Sequence, residues 1–345
     1  MDFIRKNQLC NKILFIDGMW GAGKSLLAPI AGSFKNVEKQ KLDYNFEHIS
    51  TMGTYGKIDK SAAKVLLQIM ADVDIFNSMI SREINLRPSD LSGIFNNPRA
   101  TTYLRRLFKV GQEDKAVREI INNKTILQIM THNILPVSKP LFNTFKDELT
   151  LAVMVRHPVY KLEWWYNFIE RVGVDQRVFT LATGDKGEIP WFANGIEDYD
   201  ELSTIDKVIY SMKLLTERQN KLLSSLNNNE RNRILFIPFE SFVTTPYLFI
   251  NKLTKLLNTE CTVMTKKILK KQKCPRNKIH VGKNLHYFKR YGEKSKNNSL
   301  SEVDDFERRK DLCEKKGSTD ALNVLREMSK KYENDNIFSK RMPWE

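Results

Sequence analysis

Residues Ile13–Leu27, ILFIDGMWGAGKSLL, constrain this chain more than any other stretch. The apolar run Ile13-Leu14-Phe15-Ile16 reads as a buried strand. It leads straight into Gly18-Met19-Trp20-Gly21-Ala22-Gly23-Lys24-Ser25, which fits G-x-x-x-x-G-K-[ST] at every position. The glycines let the loop curl so that successive backbone N–H groups point inward, and the helix that follows adds the positive end of its dipole. Gly18, Trp20, Gly21, Ala22 and Gly23 are therefore candidates to cradle a phosphate, with Lys24 supplying a mobile charge and Ser25 a hydroxyl.

Three further apolar runs, Thr125–Met130, Leu149–Val155 and Arg233–Ile237, are each followed by a helical pattern. Buried parallel strands alternating with helices predict a P-loop-type, doubly wound α/β sheet of mostly parallel strands flanked by helices. Between the strands, Ser61–Glu83 carries apolar residues at helical spacing, and Pro98–Lys109 and Glu113–Asn122 read as shorter helices. Arg99, Arg105 and Arg106 give the first of these a basic face, read as solvated before it is read as an acceptor-anion site. Val172–Leu202 is irregular, as expected of a lid, a substrate loop or a disordered stretch. Ser203–Leu226 reads as a helix and Glu302–Asn334 as a charged helical tail. The expected organisation is an α/β domain over 1–260, with a helical insertion at about 59–122 and a loop at about 173–202. A basic, helical C-terminal extension is expected over 261–345.

The net charge of +15 is concentrated in Cys261–Gly292, which holds ten Lys or Arg and no Asp or Glu. Such a run is a solvated surface or a counter-surface for an anion. No motif with interleaved aromatics supports a nucleic-acid partner. Cys10, Cys261, Cys274 and Cys313 are scattered, with no C-x-x-C pair, so reduced thiols and no zinc site are expected. No apolar run approaches the roughly 18 residues needed to span a bilayer. The basic start (Arg5, Lys6) precedes only a short apolar run that opens the phosphate loop, so it reads as a core strand and not a signal peptide. A cytoplasmic protein is the expectation.

In open α/β sheets chemistry gathers beyond the carboxyl ends of the strands. After the loop, those ends read Thr131-His132-Asn133, Arg156-His157-Pro158 and Pro238-Phe239-Glu240. An ATP/Mg-dependent P-loop kinase or NTPase needs an Asp closing a second apolar strand to hold its metal. Here only Glu240 is acidic, and it comes late in the chain. A loop with a His and an Arg beside it suits a reaction that needs no metal, and the kinase is retained as the alternative.

Four segments together resemble the sulfotransferase family, whose members transfer sulfonate from 3′-phosphoadenosine 5′-phosphosulfate. Ile13–Leu27 resembles its 5′-phosphosulfate loop, and Ile129-Met130-Thr131-His132 resembles its strand ending in Lys-Thr-His. Val155-Arg156-His157-Pro158 resembles its 3′-phosphate segment, and Ile234–Leu257 its strand and helix with x-x-P and a leucine pair. The resemblance implies His132 as general base toward an acceptor hydroxyl, Arg156 on the 3′-phosphate and Ser25 on the 5′-phosphate. Trp20, Trp164 or Trp165 would stack the adenine. The family's loop carries Lys where Gly21 stands and Thr where Lys24 stands, so the catalytic charge falls to Lys24. Met130 replaces a Lys, and Trp164 stands where the family has Ser. Arg276, Lys278 and Gly282 hint at the family's C-terminal Arg-Lys-Gly segment, which makes Arg276 a further donor-binding candidate. A nucleotide sulfate donor and a hydroxyl acceptor, with a saccharide among the candidates, are the implied partners.

Overall fold

Side chains along Lys12–Asp17 alternate between two buried faces, and that alternation organises the whole molecule. In a computed structural model, residues 2–335 are described apart from 89, 91, 98, 110, 186, 278 and 280–300. The strands are β1 (Lys12–Asp17), β2 (Ile126–Met130), β3 (Leu149–Val155), β4 (Ala182–Thr183), β5 (Ile189–Pro190) and β6 (Ile234–Pro238). The first helices are α1 (Lys24–Ala31), α2 (Tyr44–Thr54), α3 (Lys60–Met79), α4 (Ala100–Leu107), α5 (Glu113–Asn123) and α6 (Lys139–Phe145). Then follow α7 (Pro158–Ile169), α8 (Thr204–Ser225), α9 (Asn228–Arg231), α10 (Phe239–Thr244), α11 (Pro246–Leu257) and α12 (Val263–Lys271). The last two are α13 (Glu302–Glu314) and α14 (Thr319–Asp335).

The central sheet has the order β2-β1-β3-β6, and every pairing in it is parallel. Ile13, Phe15, Leu127, Leu151 and Val153 point into one core, packed with α3, α6, α7, α8 and α14. Leu14, Ile16, Met130, Ala152 and Met154 point into the other, built with α1, α10, α11 and α12. The two-sided burial explains why the strands read as continuous apolar runs.

Several boundaries differ from the sequence expectation. The long helix ends at Met79, not Glu83, and α4 begins at Ala100; Pro98, expected as its start, lies outside the described residues. The helical tail is two helices. Gly317 N–H turns back to the Cys313 carbonyl, and Ser318 Oγ accepts from Ala321 N–H, closing one helix and capping the next. Both pack in the first core through Phe306, Cys313, Ala321 and Leu325. Within Val172–Leu202, Trp191 and Phe192 are pinned: both are buried and Arg218 Nη1 donates to both their carbonyls. Among the described residues the four cysteines are free, and no helix is long and apolar enough to cross a membrane.

Candidate active site

Chain connections diverge between β1 and β3: β1 leads to β2 on one side, and β3 leads to β6 on the other. Such a switch point leaves a crevice beyond the strand ends, and a cavity of about 570 Å³ lies there. The loop from Gly18 to Ser25 turns beside it. Gly23 caps α1 with φ of +100°, and a Cβ there would lie 2.3 Å from the Phe239 ring, so only glycine fits. No side chain caps the start of α1. Lys24 folds back, its Nζ donating to the carbonyls of Gly18 (2.5 Å) and Met19 (2.9 Å). Burial lowers its pKa to about 8, against the pull of Asp17 and Glu47. Asp17 is spent on the fold: its carboxylate accepts from Thr131 Oγ1 and from the backbone N–H groups of Ile134 and Leu135.

On the β3 side the cavity wall is cationic. Arg156 follows β3 and is 7% exposed; its Nη1 donates to the Gly21 carbonyl at 3.0 Å, while its Nε is buried without a partner. The guanidinium lies 4.2 Å from the centre of the Phe239 ring and 5.1 Å from that of Tyr160. Burial lowers its pKa to about 10, with Glu240 acting in the opposite sense. Lys161, one turn into α7, is also 7% exposed and donates to Met19 Sδ at 3.1 Å. Burial lowers it to about 8. Glu240, the nearby carboxylate, is already engaged: it accepts from His157 N–H at 3.2 Å and from the Tyr332 hydroxyl at 2.5 Å. His157 itself accepts from Val159 N–H to cap α7, with its Nε2 2.9 Å from Glu333.

On the β2 side the surroundings are aromatic and acidic. The His132 ring stacks with Trp20 (5.4 Å, 18°) and with Tyr44 (6.3 Å, 12°). Glu47 Oε1 accepts from the His132 backbone N–H at 2.6 Å and lies 3.4 Å from Nδ1, which is sealed from solvent. Burial, followed by the charge on Lys24, lowers His132 to about 3. Burial, with help from Asp17, raises Glu47 to about 8.

The cavity wall gathers Gly18, Ala22 and Arg156 of the expected site residues. Trp20, Lys24, Ser25, His132 and Arg276 are not part of that wall. Trp20 stacks on Phe168 (4.1 Å) as well as on His132, and Trp165 is fully buried edge-on to it, so Trp165 is core and not a nucleotide platform. Trp164 packs against Gly21. Arg276 Nη1 donates to the Gln272 carbonyl, and its guanidinium is 5.8 Å from the same Phe239 ring that Arg156 covers. Lys278 and Gly282 lie outside the described residues. Arg106 is not a solvated residue as expected; it pairs with buried Glu38, because that carboxylate needs a counter-charge. Arg105 is exposed.

Sequence reading missed Glu47, Lys161 and Asn133. Nothing local marks Glu47, which lies on α2 away from any strand end. Lys161 carries a signal in hindsight, a lone cation inside the run Val159-Tyr160-Lys161-Leu162 five residues past Arg156. Asn133 sits next to His132 with φ of +58°, and both its side-chain polar atoms are buried without partners. No group of three or more His, Cys, Asp or Glu among the described residues could hold a metal ion.

No protein-family model matches the chain, and no curated protein does. Similar solved structures exist. One is the sulfotransferase domain from the curacin biosynthetic pathway, with 11% identity over 88% of this chain and 97% of that one and a TM-score of 0.41. Another is the sulfotransferase domain from the Synechococcus PCC 7002 olefin synthase, with 12% identity, coverage of 90% and 97%, and a TM-score of 0.40. A third is the sulfotransferase STF9 from Mycobacterium avium, with 9% identity, coverage of 95% and 77%, and a TM-score of 0.41. Scores at this level leave the assignment of function to the geometry of the site.

Proposed function

We propose that this chain is a sulfotransferase-type enzyme that moves the sulfonate of 3′-phosphoadenosine 5′-phosphosulfate to an acceptor hydroxyl. The net charge of +15 favours a carbohydrate or anionic acceptor. The observation that carries the reading is Arg156: a guanidinium buried at the loop, on the cavity wall, bonded to one neutral carbonyl and with its Nε buried without a partner. A buried cation without a bonded counter-ion is costly, and an anion bound against it offsets that cost. The loop then serves one phosphate of the ligand and Arg156 a second, whose oxygens match its planar fork. A Mg-dependent kinase would draw on strand-end carboxylates, yet Asp17 and Glu240 are both committed to protein donors.

In the proposed step the acceptor oxygen bonds to sulfur as the bond from sulfur to the bridging phosphate oxygen breaks. The electron pair of that bond leaves on the nucleotide phosphate. Lys24 and the loop N–H groups stabilise the charge growing there. The proton of the acceptor hydroxyl goes to the His132–Glu47 pair. Burial holds an isolated His132 so weakly basic, at about 3, that it collects a proton poorly. Glu47, whose carboxyl burial raises to about 8, is the stronger base of the two once ionised and lies 3.4 Å from the imidazole Nδ1.

A thermal-shift comparison tests the reading. 3′,5′-Adenosine bisphosphate should stabilise the protein in EDTA, and Mg-ATP should add less. Strong stabilisation by Mg-ATP with none from the bisphosphate would sink it.

A further inference from the structure

Gly21 leaves no room for a side chain of its own. A Cβ there would lie 3.3 Å from the Lys161 Cα and 3.2–3.3 Å from Trp164 atoms, and its φ is +78°. Helix α7 thus lies directly against the loop, and the charge that reaches the loop at this point comes from α7. Lys161 is buried, yet the acceptor it bonds is a thioether, Met19 Sδ, one of the weakest in a protein. Glu240 acts on it electrostatically but gives its oxygens to His157 and Tyr332, while Lys24 and Arg156 repel it. Asn133, 3% exposed, lines the same cavity with both side-chain polar atoms unpartnered.

We infer that Lys161 is a ligand-binding residue: its ammonium, with the Asn133 amide on the wall of the same cavity, grips an oxyanion of the nucleotide seated on the loop. Native interiors leave few buried polar groups unsatisfied. Here the Asn133 amide and the Nε of Arg156 are unsatisfied and the Lys161 ammonium has only a thioether, in three residues that line one cavity, which is the arrangement an anionic ligand completes. Lys161 would then stand to the bound anion as Lys24 does, the one ammonium meeting Met19 at its sulfur and the other at its carbonyl. The identity of that anion rests on the proposed function; the presence of an anion site does not.

The test combines unliganded stability with calorimetric titration for the wild type, Lys161→Met, Lys161→Gln and Lys161→Arg. The ligands are 3′,5′-adenosine bisphosphate, pyrophosphate and Mg-ATP. Removing an unpaired buried cation should raise the Tm of unliganded Lys161→Met by about 2–5 °C. The same change should weaken bisphosphate binding at least about tenfold. Lys161→Gln should weaken binding likewise, and Lys161→Arg should keep it within about threefold. Opposite signs for stability and binding mark a ligand-binding residue. Neutral variants that bind as the wild type does overturn the inference, as does a neutral variant that loses stability without losing affinity in its folded fraction. If the wild type binds Mg-ATP or pyrophosphate but not the bisphosphate, and Lys161→Met weakens that binding, the donor assignment fails while Lys161 stands. A wild type that binds none of the three refutes both.

Discussion

Arg106 and Arg156 are both guanidiniums carried into the interior, and they are treated in opposite ways. Arg106 meets a carboxylate: its Nη1 and Nη2 donate to the two oxygens of Glu38 at 2.9 and 3.3 Å, and Nη1 also reaches the Ser78 carbonyl. Glu38 in turn accepts from the Tyr103 and Ser78 hydroxyls. Arg156 bonds one neutral carbonyl and lies over two rings; Glu240 favours its charge without bonding to it, while Arg309 and Arg276 oppose it. A buried charge answered by its opposite is architecture. One whose bonded partner is a neutral carbonyl is unfinished, and in the proposed reading a ligand on the loop finishes it.

The largest effect should come from the architectural pair. Arg106→Met leaves Glu38 buried and uncompensated, so chemical denaturation should show a loss of about 3–5 kcal/mol, with nucleotide affinity in the folded fraction unchanged. If the variant were as stable as the wild type, the contrast would collapse on its structural side. Next in size is the β2 side of the loop. His132→Ala should lower transfer by about 10²–10⁴-fold and leave bisphosphate affinity within about twofold, because His132 lies away from the cavity wall. Lost affinity with the fold intact would make His132 a donor ligand instead.

Arg156→Met sharpens the comparison directly. It should cost about 2–3 kcal/mol of bisphosphate binding, or roughly 30- to 150-fold, with unliganded stability kept or raised. A destabilised variant with normal affinity would place Arg156 in the same class as Arg106.

The smallest effect is a slope. Glu47 has its folded pKa raised to about 8 from 4.5, so the folded state binds more protons than the unfolded one between those values. Stability therefore falls as pH rises through that window. His132, lowered to about 3, works the other way, contributing stability that increases with pH up to about 6.5. Lys24 and Lys161, lowered to about 8, act from about that pH upward. Between pH 6.5 and 8 the decline belongs to Glu47, and Glu47→Gln should flatten it in urea titrations. An unchanged slope would show that Glu47 is ionised throughout.

The sheet was legible in the sequence because strands buried on both faces leave continuous apolar runs; β1 and β3 fall where Ile13–Ile16 and Leu149–Val155 predict them. The loop was legible because its spacing is dictated by backbone geometry. Partners were not. Arg106 and Arg156 look alike as letters, and only tertiary packing decides which of them meets a carboxylate. Glu47 was invisible for the same reason, and the signal at Lys161 was faint, since a charged residue on a helix reads as solvated until another element closes over it. The break near Gly317 was missed because both flanking segments carry helical patterns, and a single glycine does not announce a turn.

The most direct test of the unfinished cluster is a crystal structure with 3′,5′-adenosine bisphosphate bound. The prediction is one phosphate on the loop N–H groups and Lys24, and phosphate oxygens within hydrogen-bond distance of Arg156 and Lys161. A nucleotide bound elsewhere, with Arg156 Nε and the Lys161 ammonium still without an anion, would contradict the account.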